Sequence, residues 1–432
     1  MLREELYEAI CQTPVIDVHS HVDRARLSPP DAGTLMFYHM LMYCLRAAGV
    51  PDEKMWSDGG MHGQGRPMDE WFEAWPAIEN TGFAWWLKSI LRDLYGFDEP
   101  LTRESYPRLE AVFAAKAAGA EWPREVLAKG NVRRVLSSTF YGPALQPGQF
   151  DGHVRFTFER APTGGTSEFW PWRDRLAGWA RRFGREISSS ARLDEATAAF
   201  YEQGDWSDKH ALVSWISSMA DFRPVDTVTV DRLLADALAG KPVEAEASRL
   251  LDAAITRATC RAIRGKTRVF QICYGVQFLT REPKSVHPVQ RAAPEFAGTL
   301  GYLLGEFPDL HFNLLNGYEP DEPLLCALAQ GYKNVSLGCF WWQTFYPSVM
   351  HQALLRRLDM VPASRLMGYF SDGYSVDHVY GRLALVRRVL AKVLAEKVED
   401  GQYTKPQAVR IAREILFETP RRIFLPDEKI EA

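Results

Sequence analysis

Eight short apolar runs recur along the chain, and most are followed by a longer stretch with helical periodicity. They begin near 14, 132, 154, 211, 267, 310, 335 and 366. Thr267-Arg268-Val269-Phe270-Gln271-Ile272-Cys273 and Leu310-His311-Phe312-Asn313-Leu314-Leu315 are representative. A strand that must traverse a helix before the next strand returns parallel to it, so the pattern is that of repeated β/α units. Eight such units predict a closed (β/α)8 TIM barrel whose chemistry sits at the C-terminal strand ends. The expected helices cover 2–11, 173–203, 230–263, 289–306, 320–330, 346–358, 376–397 and 405–417, and 366–371 is the eighth strand. An open doubly wound sheet would prefer a Gly-rich phosphate loop after strand one. That position holds His19-Ser20-His21 instead.

The first unit departs from the others. Between Asp23 and the strand at 132 no strand pattern occurs. Leu35 to Ala48 is a strongly apolar helical stretch closed by Gly49 and Pro51, and helical patterns recur at 71–75, 83–91 and 105–119. The chain therefore divides into barrel segments 1–23 and 131–432, with a helical insertion, 24–130, expected to cover the active-site face.

Bulk properties narrow the function classes. A net charge of −4 supplies no attraction for nucleic acid or an anionic membrane surface. No run approaches the ~18 apolar residues that span a bilayer. The six cysteines, at 11, 44, 260, 273, 326 and 339, form no CxxC pair, which suits reduced thiols in a cytoplasmic protein. The expected partner is a small molecule, with no nucleic acid and no membrane; assembly into a homo-oligomer is compatible with the sequence.

The end of strand one carries the sharpest chemical signal. His19 and His21 are one residue apart, so on a strand both imidazoles face one way. Two such imidazoles clamp a divalent metal if a carboxylate joins them. Strand eight ends in Ser371-Asp372-Gly373, and in a closed barrel strands one and eight are neighbours. His19, His21 and Asp372 thus form a three-ligand site for one divalent metal, zinc first, with positions left open for water or substrate. Against this, Asp-Gly is also a common turn pair, and any two histidines can fall at this spacing by chance.

His-x-His on strand one with Asp after strand eight resembles the amidohydrolase superfamily. Further stretches resemble its uronate isomerase branch. Phe37-Tyr38-His39 through Leu45-Arg46-Ala47-Ala48-Gly49-Val50 is similar to that family's insertion helix. Gln271-Ile272-Cys273-Tyr274-Gly275-Val276-Gln277 resembles its Gln-Leu-His-Ile-Gly-Ala-Gln strand, and Gly338-Cys339-Phe340-Trp341-Trp342 its Gly-Ser-Ala-Trp-Trp segment. The resemblance implies a metal-dependent aldose–ketose isomerisation of a sugar acid. It makes Asp372 and His39 the catalytic pair, and it places Arg46, Trp341, Trp342, Tyr374, Cys273 and Tyr43 around the substrate.

The chain also departs from that pattern. Cys273 stands where the family has His, Met40 where it has Tyr, and Tyr43 and Tyr374 where it has Arg. Arg160, Arg421 or Arg422 would have to replace the lost cations. A charge-assisted contact contributes roughly 1.5–3 kcal/mol, so its loss weakens binding of an anionic sugar. The altered residues instead suggest an aromatic pocket and a second reading: a hydrolase or lyase of the same superfamily acting on a less anionic substrate. A third is a non-catalytic binding relative.

Overall fold

The computed structural model describes residues 2–23, 26–55, 68–117, 119–137, 154–159, 171–203, 209–215, 219–278, 288–290, 292 and 294–431. Among these residues seven parallel strands run in the order β1 (Val15–Ser20), β2 (Val132–Ser137), β3 (Val154–Glu159), β4 (Lys209–Trp215), β5 (Val269–Tyr274), β8 (His311–Asn316) and β9 (Val335–Phe340). The remaining two, β6 (Val276–Phe278) and β7 (Pro288–Gln290), form an antiparallel hairpin after β5 that the helical pattern of 289–306 had hidden. In its place a helix occupies Pro294–Glu306.

The expected eighth strand is not a regular strand, although its position closes the barrel. On one side Leu366 bridges Leu337 in parallel, and Met367 N donates to the Leu337 carbonyl at 2.9 Å. On the other, Asp372 N donates to His19 O at 3.0 Å and His21 N to Gly373 O at 2.7 Å. Between these points the backbone donors are diverted. Gly368 N reaches the Ile415 carbonyl at 2.8 Å, and Ser371 N the side chain of Asp17 at 2.9 Å. The first diversion coincides with a π turn over Glu414–Glu418, which ends the helix predicted for 405–417 at Arg413.

Other long helical patterns break where the backbone must turn left. The 173–203 stretch divides into Trp172–Phe183 and Ser190–Glu202 at Gly184, φ +65°, and 230–263 into Thr227–Leu238 and Ala245–Ile263 at Gly240, φ +75°. These four helices enclose a second, smaller apolar cluster around Leu176, Leu193, Leu234 and Ile255.

Between β1 and β2 the described residues are helical: Ala32–Met36, His39–Ala47, Asp52–Met55, Asp69–Ile78, Gly82–Tyr95, Tyr106–Ala117 and Trp122–Lys129. They share one continuous apolar core with the barrel. The helix expected from Leu35 to Ala48 is interrupted. Asp31 caps Ala32–Met36 by accepting from Thr34 N, and Tyr38 is extended at φ −64°, ψ 136° before the next helix starts. That break aims Tyr38 and His39 together at the end of β1.

Strands β1, β5 and β9 are buried at every position, as expected for parallel strands covered on both faces. Inward residues of β1, β5, β8 and β9 are nevertheless polar near the middle of the barrel: Asp17, His19, Gln271, Asn313 and Ser336 are all buried. No described helix is long and apolar enough to cross a membrane.

Candidate metal centre

The closing segment brings Asp372 to the end of β1. Its backbone is left-handed, φ +52°, which costs a non-glycine residue about 1–2 kcal/mol. Three bonds hold it there: Asp372 N to the His19 carbonyl, Tyr38 Oη to the Asp372 carbonyl at 3.1 Å, and Gly373 N to Ser371 Oγ at 3.0 Å. Asp17 adds a brace by accepting from Ser371 N at 2.9 Å and His19 N at 3.3 Å. Burial pushes the Asp17 carboxyl up to about 7 against these bonds.

The two carboxylate oxygens of Asp372 face different partners. Oδ1 lies 3.5 Å from His19 Nε2 and 3.2 Å from His21 Nε2. Oδ2 lies 3.7 Å from His39 Nε2 and 3.8 Å from Arg382 Nη2. Burial pushes this carboxyl up, but the facing His19 and His21 imidazoles and the charge of His39 outweigh it and hold it well below the usual carboxylate range. One atom each from His19, His21 and Asp372 lie within 4.8 Å of one another, so two imidazole nitrogens and a carboxylate oxygen can share one ion. That donor set fits a zinc-like divalent cation with an open coordination position.

Aromatic rings surround the triad. Tyr374 stacks on His21 with centroids 5.5 Å apart and meets His39 edge-on at 5.5 Å. Trp342 lies 5.1 Å from His39 and 5.6 Å from Tyr43, and meets its neighbour Trp341 edge-on at 6.0 Å. Phe370 abuts the edge of His19 at 5.4 Å.

Some expected residues stand elsewhere. Arg46 Nε bonds Asp52 at 2.6 Å and lies over Tyr43. Cys273 lies on the same face of β5 as Gln271, two residues nearer the strand's end, and is not part of the three-donor group. Arg421 pairs with Glu418, and Arg422 with Glu414. Arg160 lies outside the described residues. His378 serves structure: its Nδ1 accepts from Tyr374 N, and its Nε2 lies 3.2 Å from the Leu35 carbonyl.

Two neighbours of Asp372 were not legible as site residues. Tyr38 belongs to the insertion stretch with His39 but carries no expected role, and Arg382 is one basic residue of the helix expected over 376–397. Arg382, on Val376–Glu399, is fully buried and packs flat on Phe345 at 3.5 Å, with Nη2 donating to Tyr38 Oη at 2.9 Å. The available signal was its spacing of four from His378, which puts both on one face of the helix.

The chain joins a parallel barrel to His-x-His on its first strand and Asp after its last. In sequence and fold it is similar to uronate isomerases. No family model matches it. Over 461 residues it is 23% identical to the uronate isomerase of Cutibacterium acnes, covering 97% of this chain and 94% of that one. The uronate isomerase of Thermotoga sp. is 27% identical over 150 residues, 34% of this chain and only 33% of that enzyme's length. Among solved structures, the glucuronate isomerase of Caulobacter crescentus superposes with a TM-score of 0.80 at 19% identity, covering 99% and 94% of the two chains. The fold is shared with that protein.

Proposed function

We propose that this protein isomerises a sugar acid between its aldose and ketose forms. The observation that carries the reading is the division of Asp372: Oδ1 faces His19 and His21, while Oδ2 faces His39 at 3.7 Å. A divalent ion, zinc first, held by His19, His21 and Asp372 would supply Lewis acidity to the substrate carbonyl. The chain's own residues do the rest. Asp372, ionised at neutral pH, accepts the proton from the carbon beside the carbonyl and returns it to the neighbouring carbon. His39 exchanges the accompanying proton at the substrate oxygen. Burial of Asp372 and His39 keeps bulk water from intercepting that proton. Tyr43, Trp341, Trp342 and Tyr374 supply an aromatic wall beside the triad, and the insertion roofs it. The free thiols of all six cysteines support a cytoplasmic setting.

One observation favours a second reading, a hydrolase acting on a less anionic substrate. Arg46 is tied to Asp52, and Tyr374 rather than a cation lies against His21. Incubation of zinc-loaded protein with glucuronate or galacturonate decides between them. Ketose formation supports the isomerase. No ketose, with turnover of neutral esters, lactones or amides, refutes it in favour of the hydrolase.

A further inference from the structure

The barrel interior contains a continuous line of polar side chains that begins at a proposed metal ligand and ends at the opposite mouth. His19 Nδ1 lies 2.6 Å from Gln271 Oε1. Gln271 Nε2 donates to Asn313 Oδ1 at 3.0 Å, and Asn313 Nδ2 to Ser336 Oγ at 2.9 Å. Ser336 Oγ lies 2.9 Å from His311 Nε2. The line crosses β1, β5, β8 and β9, and its members from His19 to Ser336 are buried.

The direction is fixed at Gln271, because one of its partners has only one role. The Val18 carbonyl can only accept, and Gln271 Nε2 donates to it at 3.2 Å. The Gln271 oxygen must therefore face His19, so His19 Nδ1 carries a proton and Nε2 is the nitrogen turned to Asp372. Asn313 donates onward to Ser336 Oγ, and His311 Nε2 closes the line against the same hydroxyl. Burial and the nearby Arg365 and Arg422 push the ionisation of His311 down to about 4.

We infer that Gln271, oriented by the Val18 carbonyl and backed by Asn313, Ser336 and His311, is a positioning residue that keeps a proton on His19 Nδ1 and presents its Nε2 to the metal site. The inference rests on the metal-centre reading and deepens it. A neutral imidazole has two tautomers, and only one leaves Nε2 free to ligate. Outer partners of this kind typically change metal affinity by about 10–100-fold when removed.

The test uses 15N-histidine-labelled full-length protein without metal, in which nitrogen resonances separate the two tautomers, and then zinc titration of the same samples. Wild type should show a proton on His19 Nδ1. Gln271→Leu should leave Nδ1 partly bare and weaken zinc binding about 10–100-fold. Gln271→Glu, which keeps an acceptor at Nδ1, should restore the Nδ1 proton. Ser336→Ala removes one oxygen far along the line; with the Val18 carbonyl still orienting Gln271, the Nδ1 proton should stay. An unchanged His19 signature in folded Gln271→Leu, or a bare Nδ1 in folded Ser336→Ala, overturns the inference, whatever the zinc result. A fixed Nδ1 proton that Gln271→Leu releases, in a protein that binds no zinc, supports the positioning line and refutes the metal-centre reading alone.

Discussion

Arg357 and Arg382 are the most deeply buried arginines among the described residues, and their surroundings differ. Arg357, on the helix Pro347–Met360, is saturated. It makes a two-pronged contact with Glu322 through Nε and Nη2, donates through Nη1 to the Gly338 carbonyl at 2.5 Å, and lies over Phe340. Glu322 in turn accepts from Asn316 Nδ2 at 3.1 Å. Arg382 is undersatisfied: Nη2 bonds Tyr38, while Nε and Nη1 have no hydrogen-bond partner among the described residues. Its nearest anion oxygen, Asp372 Oδ2, is 3.8 Å away. Burying a guanidinium is costly unless its donors are used. The saturated pair belongs to the architecture of the barrel rim; the unsaturated one is retained where the chemistry is proposed.

Removing the anion or the cation from each pair should therefore damage different properties. The largest effect belongs to Asp372→Asn, which should lower the isomerisation rate by about 10²–10⁴ with little change in melting, measured by initial rates of ketose formation. Comparable losses of stability and rate would break the contrast. Arg357→Met leaves Glu322 buried and unpaired, and should cost about 3–5 kcal/mol in denaturant unfolding.

The pH dependence sharpens the same division between structural and chemical polar groups. His311 ionises at about 4 in the folded protein against 6.5 in the unfolded chain. Its depressed value means that the unfolded chain binds the extra proton between those limits. The stability contribution is complete above about pH 6.5 and falls by roughly 3 kcal/mol as pH drops toward 4. Chemical denaturation of wild type and His311→Gln across that window should show the two curves converging as pH falls.

Arg382→Met should have the smallest effect on stability, within about 1 kcal/mol, because Asp372 keeps three imidazoles around it. Its rate should nevertheless drop about 10–100-fold, since Tyr38 and the Oδ2 face of Asp372 lose their neighbour. A large loss of stability with unchanged rate would place Arg382 with Arg357.

How much of this was legible depended on range. The strand–helix alternation predicted the barrel, and closure made His19, His21 and Asp372 neighbours across more than 350 residues of chain. The irregular eighth strand was not legible, because Gly368 and Ser371 spend their donors on the Ile415 carbonyl and the Asp17 side chain rather than on backbone carbonyls of the adjacent strands. Nor was the break at Phe37–Tyr38, where an uninterrupted apolar pattern hid the end of one helix and the extended Tyr38 before the next. Gln271, Asn313 and Ser336 read as polar interruptions in apolar strands; only the barrel's curvature lines them up.

Metal content tests the account most directly. Protein purified without chelator and analysed by elemental mass spectrometry should carry about one divalent ion per chain. His19→Ala should lose it while keeping the wild-type fold by circular dichroism. Wild type that stays metal-free after exposure to zinc, or folded His19→Ala that retains the ion, would contradict the assignment of His19, His21 and Asp372 as a metal centre.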